Sequence, residues 1–255
     1  LGALLFFFAL ILALGIGLIV GLLGGGGSIL TVPLLVYVLG ISAKNAIATA
    51  LLIVGITSAI SALIHASRGN IRVRIGFVFS AFAMLGSYSG GRTTQFLPDW
   101  LLLTLFSTLI IMAAYLMLRP PKGHSEDFAE KTQVVSFFLP GLLVGFSTGL
   151  VGAGGGFLFV PALVLLGKFP MRAAVGTSTL ITACNSFSGL AGQLSHTSIQ
   201  WNLALSITGV AIVGAVAGSR LVDKVPSKSL RKSFGYFVLL MALVIMIREL
   251  TGQMI

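Results

Sequence analysis

The fold class predicted for this sequence is an all-α membrane protein. It consists of two inverted-topology repeats, each of four spanning helices plus a short broken helix after a glycine run. Three observations carry that prediction. The 255 residues are 56% hydrophobic and only 9% charged, with a mean hydropathy of +1.07, whereas soluble domains carry about 25% charged residues. The chain is an internal duplication at a constant offset. And its basic residues fall almost entirely on one face once the spans are threaded through a bilayer.

The duplication is legible in the punctuation. Gly24-Gly25-Gly26-Gly27-Ser28, running on to Val32-Pro33, recurs 128 positions later as Gly152-Ala153-Gly154-Gly155-Gly156, running on to Val160-Pro161. Thr49 matches Thr177, Gly69-Asn70-Ile71 matches Thr197-Ser198-Ile199, Arg92 matches Arg220, and Pro98 matches Pro226. This divides the chain into a first membrane repeat at 1–118, a hydrophilic linker at 119–132 and a second membrane repeat at 133–255.

Taken in order, the apolar segments of the first repeat are 4–23, a short one at 29–39, then 43–66, 75–91 and 100–118. Those of the second are 134–151, a short one at 157–167, then 173–194, 203–222 and 230–247. Segments of about 17–25 residues cross a hydrocarbon core of roughly 30 Å. The short ones do so only if the extended glycine run contributes, as in the broken helices of transporters. Each glycine costs a helix about 1 kcal/mol relative to alanine, so both runs are expected to leave the helical path. Backbone freed in this way is tolerated in lipid only where it is buried in protein or lines a cavity.

The charges decide whether the short segments cross. If they do, one face collects Arg68, Arg72, Arg74, Arg119, Lys122, Lys131, Lys168, Arg172, Arg220, Lys224, Lys228, Arg231 and Lys232, against Lys44, Arg92 and Arg248 on the other. If they do not, the split is nearly even. The strong bias is the positive-inside pattern. It predicts inverted repeats in a multi-pass protein of the cytoplasmic (inner) membrane, with both termini outside and the 119–132 linker inside. The uncharged opening at 1–19 lacks the basic start of a signal peptide and is read as a span. The chain opens on Leu1 rather than Met, so the natural protein is expected to extend further at that end.

Several function classes are disfavoured. The net charge of +10 is spread over short loops without aromatic interleaving, so nucleic acid is not an expected partner. The single cysteine, Cys184, permits no disulfide framework, and no Cys/His metal cluster or cofactor motif is present. No serine–histidine pair or carboxylate pair is placed for catalysis, so the protein is not expected to be an enzyme. All six acidic residues (Asp99, Glu126, Asp127, Glu130, Asp223 and Glu249) fall in loops or at span ends. Cation and proton carriers usually place carboxylates within the membrane.

The paired pattern also carries a resemblance. Glycine run, Val-Pro, Ala48-Thr49, Ser58 with Ser61, His65 and Gly69-Asn70-Ile71 in the first half are echoed in the second. There the counterparts are Gly152–Pro161, Gly176-Thr177-Ser178, Asn185-Ser186 and Ser198-Ile199-Gln200-Trp201. Over nearly its whole length the chain resembles the sulfite exporter TauE/SafE family of membrane permeases. That resemblance implies transport of sulfur-containing or organic anions such as sulfite, sulfoacetate or sulfonates. The halves differ in carrying Gln193 where the first has His65, so any histidine-dependent step would belong to the first half alone.

The residues themselves point to an anion site. The first N–H groups of a helix lack intrahelical partners, and helix N-termini carry partial positive charge that favours anions. Gly25, Gly26, Gly27 and Ser28 are therefore expected to form a site near the midplane with Gly154, Gly155 and Gly156. Thr49, Thr177, Ser178 and Thr179 are candidate donors from the following spans, as are Ser58, Asn185 and Ser186. Intraspan hydroxyls also commonly bond back to their own helix. His65, Arg92 and Arg220 are candidates for gating or proton handling, since histidine titrates near neutrality, with solvation at the headgroups the plainer alternative. The expected partners are a small anionic solute and the lipid bilayer, with a homo-oligomer left open. A secondary carrier is favoured over a passive anion channel, and an intramembrane enzyme is a remote third.

Overall fold

A computed structural model describes residues 2–118, 135–152, 154–165 and 167–250, and among them the chain is helical throughout, without strands. The 119–132 linker, with Arg119, Lys122 and Lys131, lies outside the described residues. The first half forms α1 (Gly2–Leu23), α2 (Ser28–Pro33), α3 (Ala43–Ser67), α4 (Val73–Thr93) and α5 (Asp99–Leu118). The second half forms α6 (Val135–Val151), α7 (Gly156–Leu165), α8 (Met171–Gln193), α9 (Trp201–Leu221) and α10 (Ser227–Leu250). Both glycine runs interrupt the helices as expected. Beyond Pro33, α2 continues as one widened π turn over Leu34–Val38, as suits a proline that supplies no N–H to the helical ladder.

Helix packing respects the duplication. α1 packs on α9 as α6 packs on α4, and α3 packs on α9 as α8 packs on α4. Three further contacts, α3 with α8, α5 with α10 and α2 with α7, join a helix to its own counterpart. Exchanging the two halves leaves this pattern unchanged.

Small residues make the tightest of these contacts possible. A side chain at Gly17 would strike the Ala211 backbone, and one at Gly21 would strike Ala215 and Ser219. In the mirror contact, Gly145 meets Ala83 and Gly149 meets Ser87. Each pair rises together along the chain, so α1 runs with α9 and α6 with α4. This is the small-residue packing that lets helix backbones approach closely where lipid offers no hydrophobic drive between helices.

Two polar clusters mark opposite ends of the bundle. At one, Arg68, just past the end of α3, reaches Asp223, and Arg172, at the start of α8, bonds the Asp223 carbonyl. At the other, Lys44, at the start of α3, bonds the Gln95 carbonyl, and the last turn of α8 (Gly192) lies against Tyr88 and Arg92. So α3 and α8 traverse the bundle in opposite senses. Between the ends, Phe106, Phe157 and Phe234 are among the large side chains fully enclosed in a continuous core.

The outer surface is strongly apolar, with Leu63, Leu85, Leu143 and Val213 each more than half exposed. In water such a surface would be a liability; in a bilayer it faces its proper solvent. Among the described residues three helical segments, Ala43–Ser67, Asp99–Met117 and Trp201–Lys224, are long and apolar enough to cross a membrane.

Candidate functional site

The two glycine turns meet at the contact between the halves. In the first, Gly24 and Gly25 hold φ of +69° and +93°; in the second, Gly152, Gly154 and Gly155 hold +72°, +62° and +87°. Only glycine adopts this left-handed backbone at little cost, so glycine is a conformational requirement at these five positions. The turns also touch: a Cβ on Gly25 would sit 2.6 Å from Gly156 Cα.

Side chains from α8 and the turns themselves fix the loops. Ser178 Oγ donates to the Gly24 carbonyl at 2.7 Å, Ser28 Oγ to the Gly25 carbonyl at 2.6 Å, and Asn185 Nδ2 to the Gly154 carbonyl at 3.1 Å. Asn185 Nδ2 also reaches Thr148 Oγ1 at 3.0 Å. The N–H groups of Gly26 and Gly27 have no acceptor among the described residues.

Around the turns, polar atoms are buried without partners. Thr182 Oγ1, Ser186 Oγ and Asn185 Oδ1 accept or donate no hydrogen bond, and all three residues are fully buried; Ser58 Oγ on α3 is buried and unpaired as well. Each such group costs about 1–3 kcal/mol against a satisfied one, so a cluster of them calls for a reason. Every buried polar residue among those described is neutral or a histidine; no aspartate, glutamate, lysine or arginine is buried. The formal charges lie at the two ends.

The structure thus brings together Gly25, Ser28, Gly154, Gly156, Ser178, Asn185 and Ser186 from the sequence-predicted set. Ser58 is the repeat counterpart of Ser186 and is equally buried. Other candidates serve different ends. Thr49 and Thr179 donate to carbonyls of their own helix, Asn45 and Gly176. Thr177 Oγ1 accepts from the Arg72 N–H at 3.0 Å and pins the start of α4. Gly26 packs under the Phe234 ring, Gly27 against the α1 backbone, and Gly155 beside Phe159 and Thr148. Arg92 and Arg220 are exposed and stand at opposite ends of the bundle. His65 is fully buried, with Nε2 3.0 Å from the Gly21 carbonyl.

Sequence reading missed Thr182, whose Oγ1 lies against Gly25 and whose methyl lies against Gly154. The signal was available: Ser178, Thr182 and Asn185 with Ser186 recur at helical spacing and share one face of α8.

At the Lys44 end, His196 sits beyond α8. Partial burial, followed by the charges of Arg92 and Lys44, holds its pKa below the ordinary histidine value.

Comparison with known proteins identifies the family of the chain. The model of the family described as "Sulfite exporter TauE/SafE" matches residues 9–245. A probable membrane transporter protein of Xylella fastidiosa (strain 9a5c) is 31% identical over 245 residues, covering 92% of each chain. The probable membrane transporter protein YdhB of Bacillus subtilis is 25% identical, covering 86% of this chain and 91% of its own. One from Methanocaldococcus jannaschii is 29% identical over 236 residues, covering 85% of this chain and 87% of its own. No solved structure matches the chain. The chain belongs to the sulfite exporter TauE/SafE family and is a membrane transporter.

Proposed function

We propose that the protein is a secondary carrier for a small anion of the sulfite, sulfoacetate or sulfonate kind, bound where the two glycine turns meet. The observation that carries this reading is the uncharged cluster at that junction, where the Thr182 and Ser186 hydroxyls are left unpaired in a fully buried setting. Neutral donors suit an anion that must be released as well as bound. A buried lysine or arginine would hold it more tightly, and a carboxylate would repel it. The N–H groups of Gly26 and Gly27, which have no acceptor among the described residues, are further candidate backbone donors in the first turn.

The reading includes inverted repeats, supported by the opposite senses in which α3 and α8 run. It places the Arg68–Asp223 end in the cytoplasm, because Arg68, Arg72, Arg172 and Arg220 gather there while Lys44 and Arg92 hold the other end. This gives an inner-membrane protein with both termini outside. The contact between the turns favours a carrier that opens to one side at a time over a standing channel.

The test is a thermal-shift panel on purified protein with sulfite, thiosulfate, sulfoacetate, taurine and simple carboxylates, followed by counterflow in proteoliposomes. A ligand at a hundredfold excess over Kd should stabilise by about 2.7 kcal/mol. Stabilisation by cations or neutral solutes alone would overturn the anion reading, and flux without counterflow would favour the channel.

A further inference from the structure

We propose that Thr182 is a specificity-determining contact of the transported anion and makes the site one-sided, with α8 supplying the polar face and α3 the apolar one. This rests on the anion-carrier reading. Thr182 Oγ1 is fully buried and unpaired, and it lies 3.2 Å from where a Cβ on Gly25 would stand. A threonine inside a helix usually donates to a carbonyl of the preceding turn, as Thr57 does to Ile53 at 2.8 Å. Thr182 makes no such bond.

The duplication supplies the contrast. The counterpart of Thr182 is Val54, whose methyl packs against Gly154. The counterpart of Asn185 is Thr57, already satisfied within its own helix. Two chemically matched halves would offer equal polarity from both sides. Here α8 carries two unpaired buried hydroxyls, Thr182 and Ser186, and α3 carries one, Ser58.

Sulfite titrated against purified Thr182→Val, Thr182→Ser and the double variant Thr182→Val with Val54→Thr tests this, read as the shift in melting temperature. Thr182→Val should weaken sulfite binding by about tenfold or more, a change of roughly 1.4 kcal/mol. Thr182→Ser should keep most of the affinity, and adding Val54→Thr to Thr182→Val should not restore it; restoration would overturn the one-sided site. Removing a hydroxyl that has no protein partner should leave the ligand-free melting temperature at or above that of wild type, so misfolding is separable from lost binding. Wild-type sulfite affinity in Thr182→Val overturns the proposal alone. A wild-type protein that no anion stabilises overturns the carrier reading and this inference with it.

A different observation carries a second inference. Arg68 Nη1 donates to Asp223 Oδ2 at 2.6 Å and Asn70 Nδ2 to Asp223 Oδ1 at 3.0 Å, joining the halves at one end. At the other end, the counterparts of Arg68, Asn70 and Asp223 are His196, Ser198 and Gln95. The supporting contact is shared: Arg172 bonds the Asp223 carbonyl at 3.0 Å, and its counterpart Lys44 bonds the Gln95 carbonyl at 3.3 Å. Among the described residues, that end has no counterpart of either the Arg68–Asp223 ion pair or the Asn70–Asp223 bond. We infer that Arg68 and Asp223 form a latch that holds one end of the bundle shut and biases the carrier toward opening at the other.

The readout is labelling of Ala62→Cys, a buried position on α3 near the latch, in a Cys184→Ala background. Asp223→Asn should raise its maleimide labelling rate several-fold, and the charge exchange Arg68→Asp with Asp223→Arg should bring it back. An unchanged rate in Asp223→Asn, or a raised rate that the exchange leaves raised, overturns the latch.

Discussion

His65 and Gln193 occupy the same place in the two halves and make the same bond. His65 Nε2 lies 3.0 Å from the Gly21 carbonyl, and Gln193 Nε2 donates to the Gly149 carbonyl at 3.0 Å. The four positions are related pairwise by the repeat offset of 128. An amide thus does on one side what an imidazole does on the other. The common task is to tie the last turn of α3 or α8 to the end of the helix that leads into a glycine turn.

His65→Gln is therefore expected to fold, insert and transport like wild type, with an unchanged pH profile of uptake. His65→Leu leaves the Gly21 carbonyl unpaired and should lower stability by about 1–3 kcal/mol, visible as a lower melting temperature in detergent. A pH profile that flattens in His65→Gln would assign the ring a proton-handling role.

The glycines of one run should differ in tolerance. Gly25→Ala meets both a left-handed φ of +93° and the Gly156 backbone, and should abolish ligand-induced stabilisation. Gly26→Ala meets only the Phe234 ring, at 3.1 Å, which a small ring shift accommodates. Its ligand response should stay within a few-fold of wild type. Thermal shifts with sulfite measure both.

Asn185→Leu removes the donor that bridges Thr148 and Gly154. The loss should cost about 1–3 kcal/mol of stability and abolish ligand-induced stabilisation. The first effect is read without ligand and the second with it, so a purely structural role would show as the first alone.

Orientation is open to direct measurement. With Cys184→Ala as background, cysteines at Lys224 and Arg72 should react with impermeant reagent only from the cytoplasmic side. Cysteines at Lys44 and His196 should react only from outside. The reverse pattern would invert the orientation assigned from charge while leaving the fold intact.

Much of this was legible in the sequence, for identifiable reasons. Glycine conformational cost and proline spacing marked the two breaks, and the constant offset located every helix relative to its counterpart. Hydroxyl roles were less legible, because a threonine that serves its own helix reads like one that does not. Thr49 and Thr179 bond locally, Thr177 secures a loop from the other half, and Thr182 is left unpaired. The functions of Gly27 and Gly155 were equally hidden, since they depend on what packs above them. So was the equivalence of His65 and Gln193, which only a shared acceptor reveals.

The closest backbone approaches, α1 on α9 and α6 on α4, join helices from different halves. A nascent chain that has delivered only its first five helices therefore has nowhere to lay the glycine ridge of α1 or the small-residue face of α4 except against lipid or an insertion factor. Maturation must wait for the far end of the polypeptide. Each half made alone should be short-lived in the cell, and both should persist when synthesised together from separate messages.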